Sequence, residues 1–172
     1  ELNAPSLNTG WVNRLVVAIG TTMPCSSSAP LNSATSASRS AAFAPNGTNL
    51  VTWTEVNGEE QLLVHLADAS GEPKQLGNTP PGWHYGAVYS PDGKKLAWSD
   101  EKYRLYVTDV GSAQTVEVDR GDWEITRFAW SPDSRYLAYD TALPSLFSQV
   151  RIWDRTDKSR HEVSDPAYDS TS

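Results

Sequence analysis

The chain has 172 residues, 38% of them hydrophobic and 20% charged, with 11 Gly, 11 Pro and 7 Trp. That length fits one domain rich in strands and turns. A formal charge of −7 repels phosphate, so nucleic-acid backbones and anionic membranes are both disfavoured as partners. One cysteine, Cys25, excludes an intrachain disulfide framework, and its small-residue surroundings lack the basic neighbours that activate a thiol.

At the start of the chain, Leu15-Val16-Val17-Ala18-Ile19 is the longest apolar run, far short of a membrane span. No basic-then-apolar leader opens the chain, and cytoplasm and periplasm both stay open as locations. Asn13-Arg14-Leu15-Val16-Val17 is a partial copy of a motif that recurs downstream. Residues 20–38 then become rich in Ser and Ala and poor in β-branched apolar side chains. Such a stretch buries little, which leaves a flexible insertion, a degenerate repeat or a faulty stretch of reading frame as its readings.

Three segments next align without gaps: Phe43-Ala44-Pro45-Asn46-Gly47-Thr48-Asn49-Leu50-Val51, Tyr89-Ser90-Pro91-Asp92-Gly93-Lys94-Lys95-Leu96-Ala97 and Trp130-Ser131-Pro132-Asp133-Ser134-Arg135-Tyr136-Leu137-Ala138. Their leucines, with Leu15, fall at intervals of about 35, 46 and 41 residues, the spacing of propeller blades. Proline presets the turn, Asp or Asn and Gly follow it readily, and an aromatic strand enters while an aliphatic strand leaves. Each turn therefore predicts a hairpin.

A third strand is predicted at Gln61–Leu66, Arg104–Asp109 and Gln149–Asp154. A short polar edge strand should follow near Lys74–Leu76, Thr115–Val118 and His161–Val163. No window sustains helical apolar spacing. The fold class expected is all-β, a partial β-propeller of four-stranded antiparallel blades. Its predicted parts are a partial or degenerate first blade at 1–38, blades at 39–76, 77–118 and 119–163, and a lead-in at 164–172. Such a piece leaves two blade faces uncovered, so alone it is expected to associate or melt at low temperature.

The Ser-Pro-Asp-Gly turns resemble the TolB-type propeller repeat. Tyr89–Asp100, Tyr103–Val107, Asp119-Arg120-Gly121-Asp122-Trp123, Trp130–Tyr139 and Asp165–Ser170 are similar to the second propeller of tricorn-like serine proteases. That resemblance covers about half the chain. It implies a large multidomain peptidase whose propellers gate a separate catalytic portion, with a PDZ-like domain and the serine nucleophile beyond them. Nothing in these residues corresponds to that portion, so no catalytic residue is carried over. No cofactor is implied. The partners implied are peptides or a protein, the remaining blades and a downstream peptidase domain. A TolB-like protein-binding propeller with no attached enzyme is the competing reading, and a prolyl-oligopeptidase-type lid is a third.

His65, His84 and His161 lie in separate repeats without the ligand spacing of a zinc site, and no Gly-x-Ser-x-Gly elbow is present. Asn46-Gly47-Thr48 spells a glycosylation acceptor and Arg120-Gly121-Asp122 an adhesion tripeptide. Both are short enough to arise by chance. Trp98, Tyr106, Trp130, Tyr139 and Trp153 are expected to pack between blades. Trp83, His84, Trp123, Glu124 and Arg127 instead sit in connections that lead to inner strands, and they are the expected peptide-contacting surface.

Overall fold

A computed structural model describes residues 38–143 and 148–163. The partial repeat at Asn13–Val17, Cys25, most of the Ser/Ala-rich stretch and the lead-in at 164–172 lie outside those residues. Twelve strands are formed within them. The first sheet comprises β1 (Ser38–Phe43), β2 (Asn49–Val56), β3 (Glu59–Leu66) and β4 (Lys74–Gln75). The second comprises β5 (His84–Tyr89), β6 (Lys95–Asp100), β7 (Arg104–Asp109) and β8 (Thr115–Arg120). The third comprises β9 (Phe128–Trp130), β10 (Tyr136–Ala142), β11 (Ser148–Asp154) and β12 (Arg160–Glu162). Every sheet is an antiparallel meander in chain order.

The innermost strands β1, β5 and β9 pack side by side in that order. These are blades of an all-β partial propeller. The predicted inner hairpins and third strands form within a residue or two of their expected positions. The outer strands β4 and β12 are short and exposed along their whole length, whereas β8 runs six residues and buries Val118 and Asp119.

Each repeated turn is closed by the same hydrogen bonds. The amides of Gly47, Gly93 and Ser134 donate to the carbonyls of Ala44, Ser90 and Ser131, each at 2.8 Å. In the second and third copies the serine hydroxyl bridges the turn. Ser90 Oγ donates to Asp92 Oδ1 (2.6 Å) and accepts from the Lys95 amide (2.9 Å). Ser131 Oγ donates to Asp133 Oδ1 and accepts from the Tyr136 amide (2.9 Å). The first copy has Ala44 in that place, and Asn46 Oδ1 instead takes Thr48 N and Oγ1. The third turn position needs a left-handed backbone, with φ of 70° at Gly47 and Gly93 and 63° at Ser134; only the last copy forces a side chain into it.

Two hydrophobic cores lie between blades. The first joins Val51, Trp53, Leu62 and Leu76 to Tyr89, Leu96, Trp98 and Tyr106. The second joins Ala97, Leu105, Val107 and Val118 to Ile125, Leu137, Tyr139 and Trp153. Period-2 alternation divides the middle sheet's side chains between them: Leu96 and Trp98 face one way, Ala97 the other. The aromatics expected between blades are there, Trp98, Tyr106, Tyr139 and Trp153 buried and Trp130 half-buried.

Antiparallel order puts alternate turns at opposite ends of the blades. One rim carries the Pro-Asp/Asn turns and the β3–β4, β7–β8 and β11–β12 loops. The other carries the Asn57-Gly58 and 101–103 hairpin turns together with the blade-to-blade connections, residues 76–83 and 121–127.

Candidate functional site

The connection rim holds the residues expected to meet a peptide. The connection before β5 is anchored from beneath. Its Trp83 carbonyl accepts from the Glu101 amide at 2.9 Å, and Thr79 Oγ1 donates to the Glu60 carbonyl. Gly82, at φ 122°, lies so close to Glu101 that a Cβ there would stand 2.4 Å from Oε1. The equivalent connection before β9 is held by the Gly121 amide on the Tyr103 carbonyl (2.8 Å). A Cβ on Gly121 would lie 2.7 Å from Thr141 Oγ1. The backbone is thus fixed beneath two large side chains that stay open: Trp83 and Trp123 are each 51% exposed. Burying an indole is favourable, so half-exposed tryptophans on fixed loops are ready contact points.

Glu124 and Arg127 are exposed beside Trp123. Arg127 does not point freely, since its guanidinium pairs with Asp140 at 2.6 Å. Trp83, Trp123, Glu124 and Arg127 therefore share the rim.

His84 does not share their exposure. It is 3% exposed, with its ring stacked on Trp53 (centroids 4.4 Å, 9° apart) and edge-on to Trp98 at 5.3 Å. Glu60 Oε2 accepts from both the His84 amide (2.7 Å) and Nδ1 (3.2 Å). Burial lowers the imidazole pKa below its ordinary value, outweighing the opposing pull of Glu60 and Asp100, so the ring sits neutral. The physical reason for its place is the repeat itself. Counting back from the Pro-Asp turns, His84 falls where the next blade has Ile125, which is fully buried. His84 is a core residue that directly follows Trp83 in the chain.

Several carboxylates that the sequence did not single out organise polar contacts within and between blades. Asp119, on the outer strand of the middle blade, is buried. It accepts from Tyr139 Oη (2.7 Å) and Arg151 Nη1 (3.1 Å), and from Arg160. Burial raises its pKa, but these donors and the Arg120 amide outweigh that and hold it below the ordinary carboxylate value. Asp100 is similarly gripped by Arg104 Nε at 2.8 Å. Near the repeated turns, Arg135 holds Asp154, whose pKa is lowered to about 2. Tyr106, facing Asp100 at 3.5 Å, is pushed up to about 12 by burial first and that carboxylate second. A sequence signal for Asp119 existed only in its partners, two arginines on the following blade, which no local pattern ties to it.

Among the described residues no group of three or more His, Cys, Asp and Glu side chains could hold a metal ion, and no helix is long and apolar enough to cross a membrane. A cleft lined by Arg151, Arg160, His161 and Glu162 has its charges engaged internally, the arginines on Asp119 and Glu162. Asn46-Gly47-Thr48 occupies the exposed tight turn, whereas Arg120-Gly121-Asp122 has its glycine packed against Thr141.

No protein-family model matches the chain. Tricorn protease homolog 1 of Streptomyces coelicolor is 27% identical over 128 residues, covering 70% of this chain and 12% of that protein. Dipeptidyl-peptidase 5 of Aspergillus fumigatus is 33% identical over 98 residues, 49% of this chain and 13% of that protein. The chain thus spans roughly an eighth of the length of these curated relatives. Among solved structures, the tricorn protease superposes with a TM-score of 0.67 at 14% identity, over 74% of this chain and 13% of that one. TolB from Acinetobacter baumannii gives 0.57 at 18% identity, over 72% and 31%. The resemblance carried by the Pro-Asp turns therefore extends to the fold: this chain is similar to the propeller regions of tricorn-type proteases and of TolB.

Proposed function

We propose that this chain is a non-catalytic propeller segment of a tricorn-like serine peptidase, and that its connection rim gates or selects peptide substrates. Chemistry is assigned to a separate portion of the protein, and the three blades at 39–76, 77–118 and 119–163 are the scaffold. The observation that carries this reading is the pair of half-exposed tryptophans, Trp83 and Trp123. They occupy the blade-to-blade connections of successive blades on one rim, each on backbone held by hydrogen bonds to a neighbouring turn. Glu124 and Arg127 add polar contacts beside Trp123, while His84, directly after Trp83 in the chain, is buried in the core. Rigid aromatic anchors flanked by charged groups suit extended peptides of varied sequence.

The test is peptide affinity in the full-length protein. Trp83→Ala and Trp123→Ala should each weaken binding several-fold with little change in unfolding midpoint. A loss of stability with unaltered peptide affinity would show instead that the indoles only staple blade to blade.

The alternative, a TolB-like protein-binding propeller with no attached enzyme, is supported by the superposition on TolB. Reading the coding sequence downstream of Ser172 separates the two. A PDZ-like and a serine-peptidase domain favour the first; a stop soon after ring closure favours the second.

A further inference from the structure

The opposite rim repeats one arrangement twice and completes it once. At the seam between the second and third blades, the Asp92 amide donates to Ser134 Oγ (2.9 Å). Arg155 reaches across from the third blade, donating through Nη1 to Asp92 Oδ2 (2.7 Å) and to the Ser134 carbonyl (3.2 Å). Burial raises the Asp92 pKa, but the Ser90 hydroxyl, the Arg155 guanidinium and the Lys94 amide outweigh it and hold it at about 2. The seam is closed by the chain's own side chains.

At the seam between the first and second blades, the corresponding residues are Asn46, Gly93 and Val110. The correspondence is structural as well as sequential, since Val110 N bonds to Lys94 O and Arg155 N bonds to Arg135 O. None of the bridging bonds can form there. Glycine has no hydroxyl, valine has no guanidinium, and Asn46 presents an amide in place of a carboxylate. The result is a cleft of about 340 Å³ lined by Pro45, Asn46, Tyr89, Pro91, Asp92 and Val110, among others.

The cleft presents unused donors, and Asn49 lines it as well. Asn46 Oδ1 is occupied by Thr48, while its amide nitrogen Nδ2 and its backbone N–H have no partner among the described residues. The Tyr89 hydroxyl is buried without a partner, an arrangement that costs free energy until an acceptor or donor meets it. The walls are apolar, from Ala44, Pro45, Pro91 and Val110. A cation finds no free counter-charge, because Asp92 is already paired with Arg155. An anion meets that same carboxylate.

We propose that this seam is a second binding site, one that takes an uncharged apolar side chain of a peptide with the adjacent carbonyl accepting from Asn46 Nδ2. Arg155 shows that a side chain can occupy the equivalent seam one blade further on; there it meets the Asp92 carboxylate, and Asn46 in the corresponding place here offers no charge to a cation. This site lies on the rim away from Trp83 and Trp123, so it stands or falls apart from the function proposed above.

Titrating the full-length protein, segmentally ¹⁵N-labelled over this chain, with acetyl-Leu-Pro-amide tests it, with the Asp-Pro and Lys-Pro analogues as controls. Saturable shifts confined to Asn46, Gly47, Gly93 and Val110 are expected, at least about fivefold weaker with either charged analogue. The paired substitution Val110→Arg with Asn46→Asp rebuilds the Arg155–Asp92 bridge and should abolish those shifts while raising the unfolding midpoint. Asn46→Ala, which leaves the cleft open but removes its donor, should weaken binding several-fold. Shifts that scatter over the chain, fail to saturate, or persist in the bridged variant would overturn the proposal.

Discussion

The two interfaces between blades solve the same packing problem with different chemistry. Between the first and second blades the contact is aromatic: Trp53, His84, Trp98 and Tyr106 form one chain of stacked and edge-on rings, and its polar links include Glu60 on His84 and the Trp53 indole on the Gly86 carbonyl. Between the second and third blades the centre is aliphatic, from Leu105, Val107, Ile125 and Leu137, and the outer part is ionic, with Asp119 held by Arg151, Arg160 and Tyr139. The fold needs a filled and hydrogen-bonded seam and leaves the means open. The first interface depends on ring volume and on a neutral His84; the second depends on paired charge.

That contrast can be broken in graded steps. The largest effect belongs to Trp98→Ala, which opens the aromatic stack and should cost about 3–5 kcal/mol in urea unfolding. Asp119→Ala comes next. It strips the buried partner from Tyr139 and Arg151 and should cost about 3 kcal/mol, whereas Asp119→Asn should retain part of the network. Gly86→Ala follows, at about 1–3 kcal/mol, because φ is 62° there and a Cβ would sit 2.7 Å from Phe128 Cζ.

Acidity should separate the interfaces next. His84 has its pKa below the ordinary 6.5, so the unfolded chain takes up that proton first. Its contribution is complete above pH 6.5 and declines as pH falls through the lower folded value. Asp119, depressed below 3.8, keeps its contribution until the medium is more acidic than that. Mild acid should therefore loosen the first interface while the second holds. Hydrogen exchange followed strand by strand would read this, and His84→Ile should remove the first response alone. The smallest effect is expected for Ser134→Gly, within about 0.5 kcal/mol, since relief of the left-handed backbone offsets the lost bond from Asp92. A large change either way would show that one of the two dominates.

Much of this was legible in the sequence, because strands announce themselves through period-2 alternation and the turns through Pro-Asp-Gly chemistry. Third strands such as Arg104–Asp109 could be placed to the residue. Long-range partnership was less legible. His84 read as a surface residue because it sits in a proline- and glycine-rich connection, although its register against Ile125 marks a core slot. Asp119 gave no local sign of burial, since the arginines that make burial tolerable lie 32 and 41 residues further on. The cleft at Asn46 was hidden for a different reason. It arises from what three separate positions lack, and a pattern search responds to what is present.

The indole nitrogens of Trp53 and Trp130 donate to the carbonyls of Gly86 (2.6 Å) and Val88 (3.1 Å), gripping the middle blade's inner strand from both sides. A carbonyl is the same group whichever residue bears it. Such a clasp fixes spacing through the backbone, so the gripped strand can vary at exposed positions such as Val88 without losing its seat, while Gly86 stays constrained by its own φ and by Phe128. A ring assembled this way can stay superposable over evolutionary distances at which its letters have largely changed.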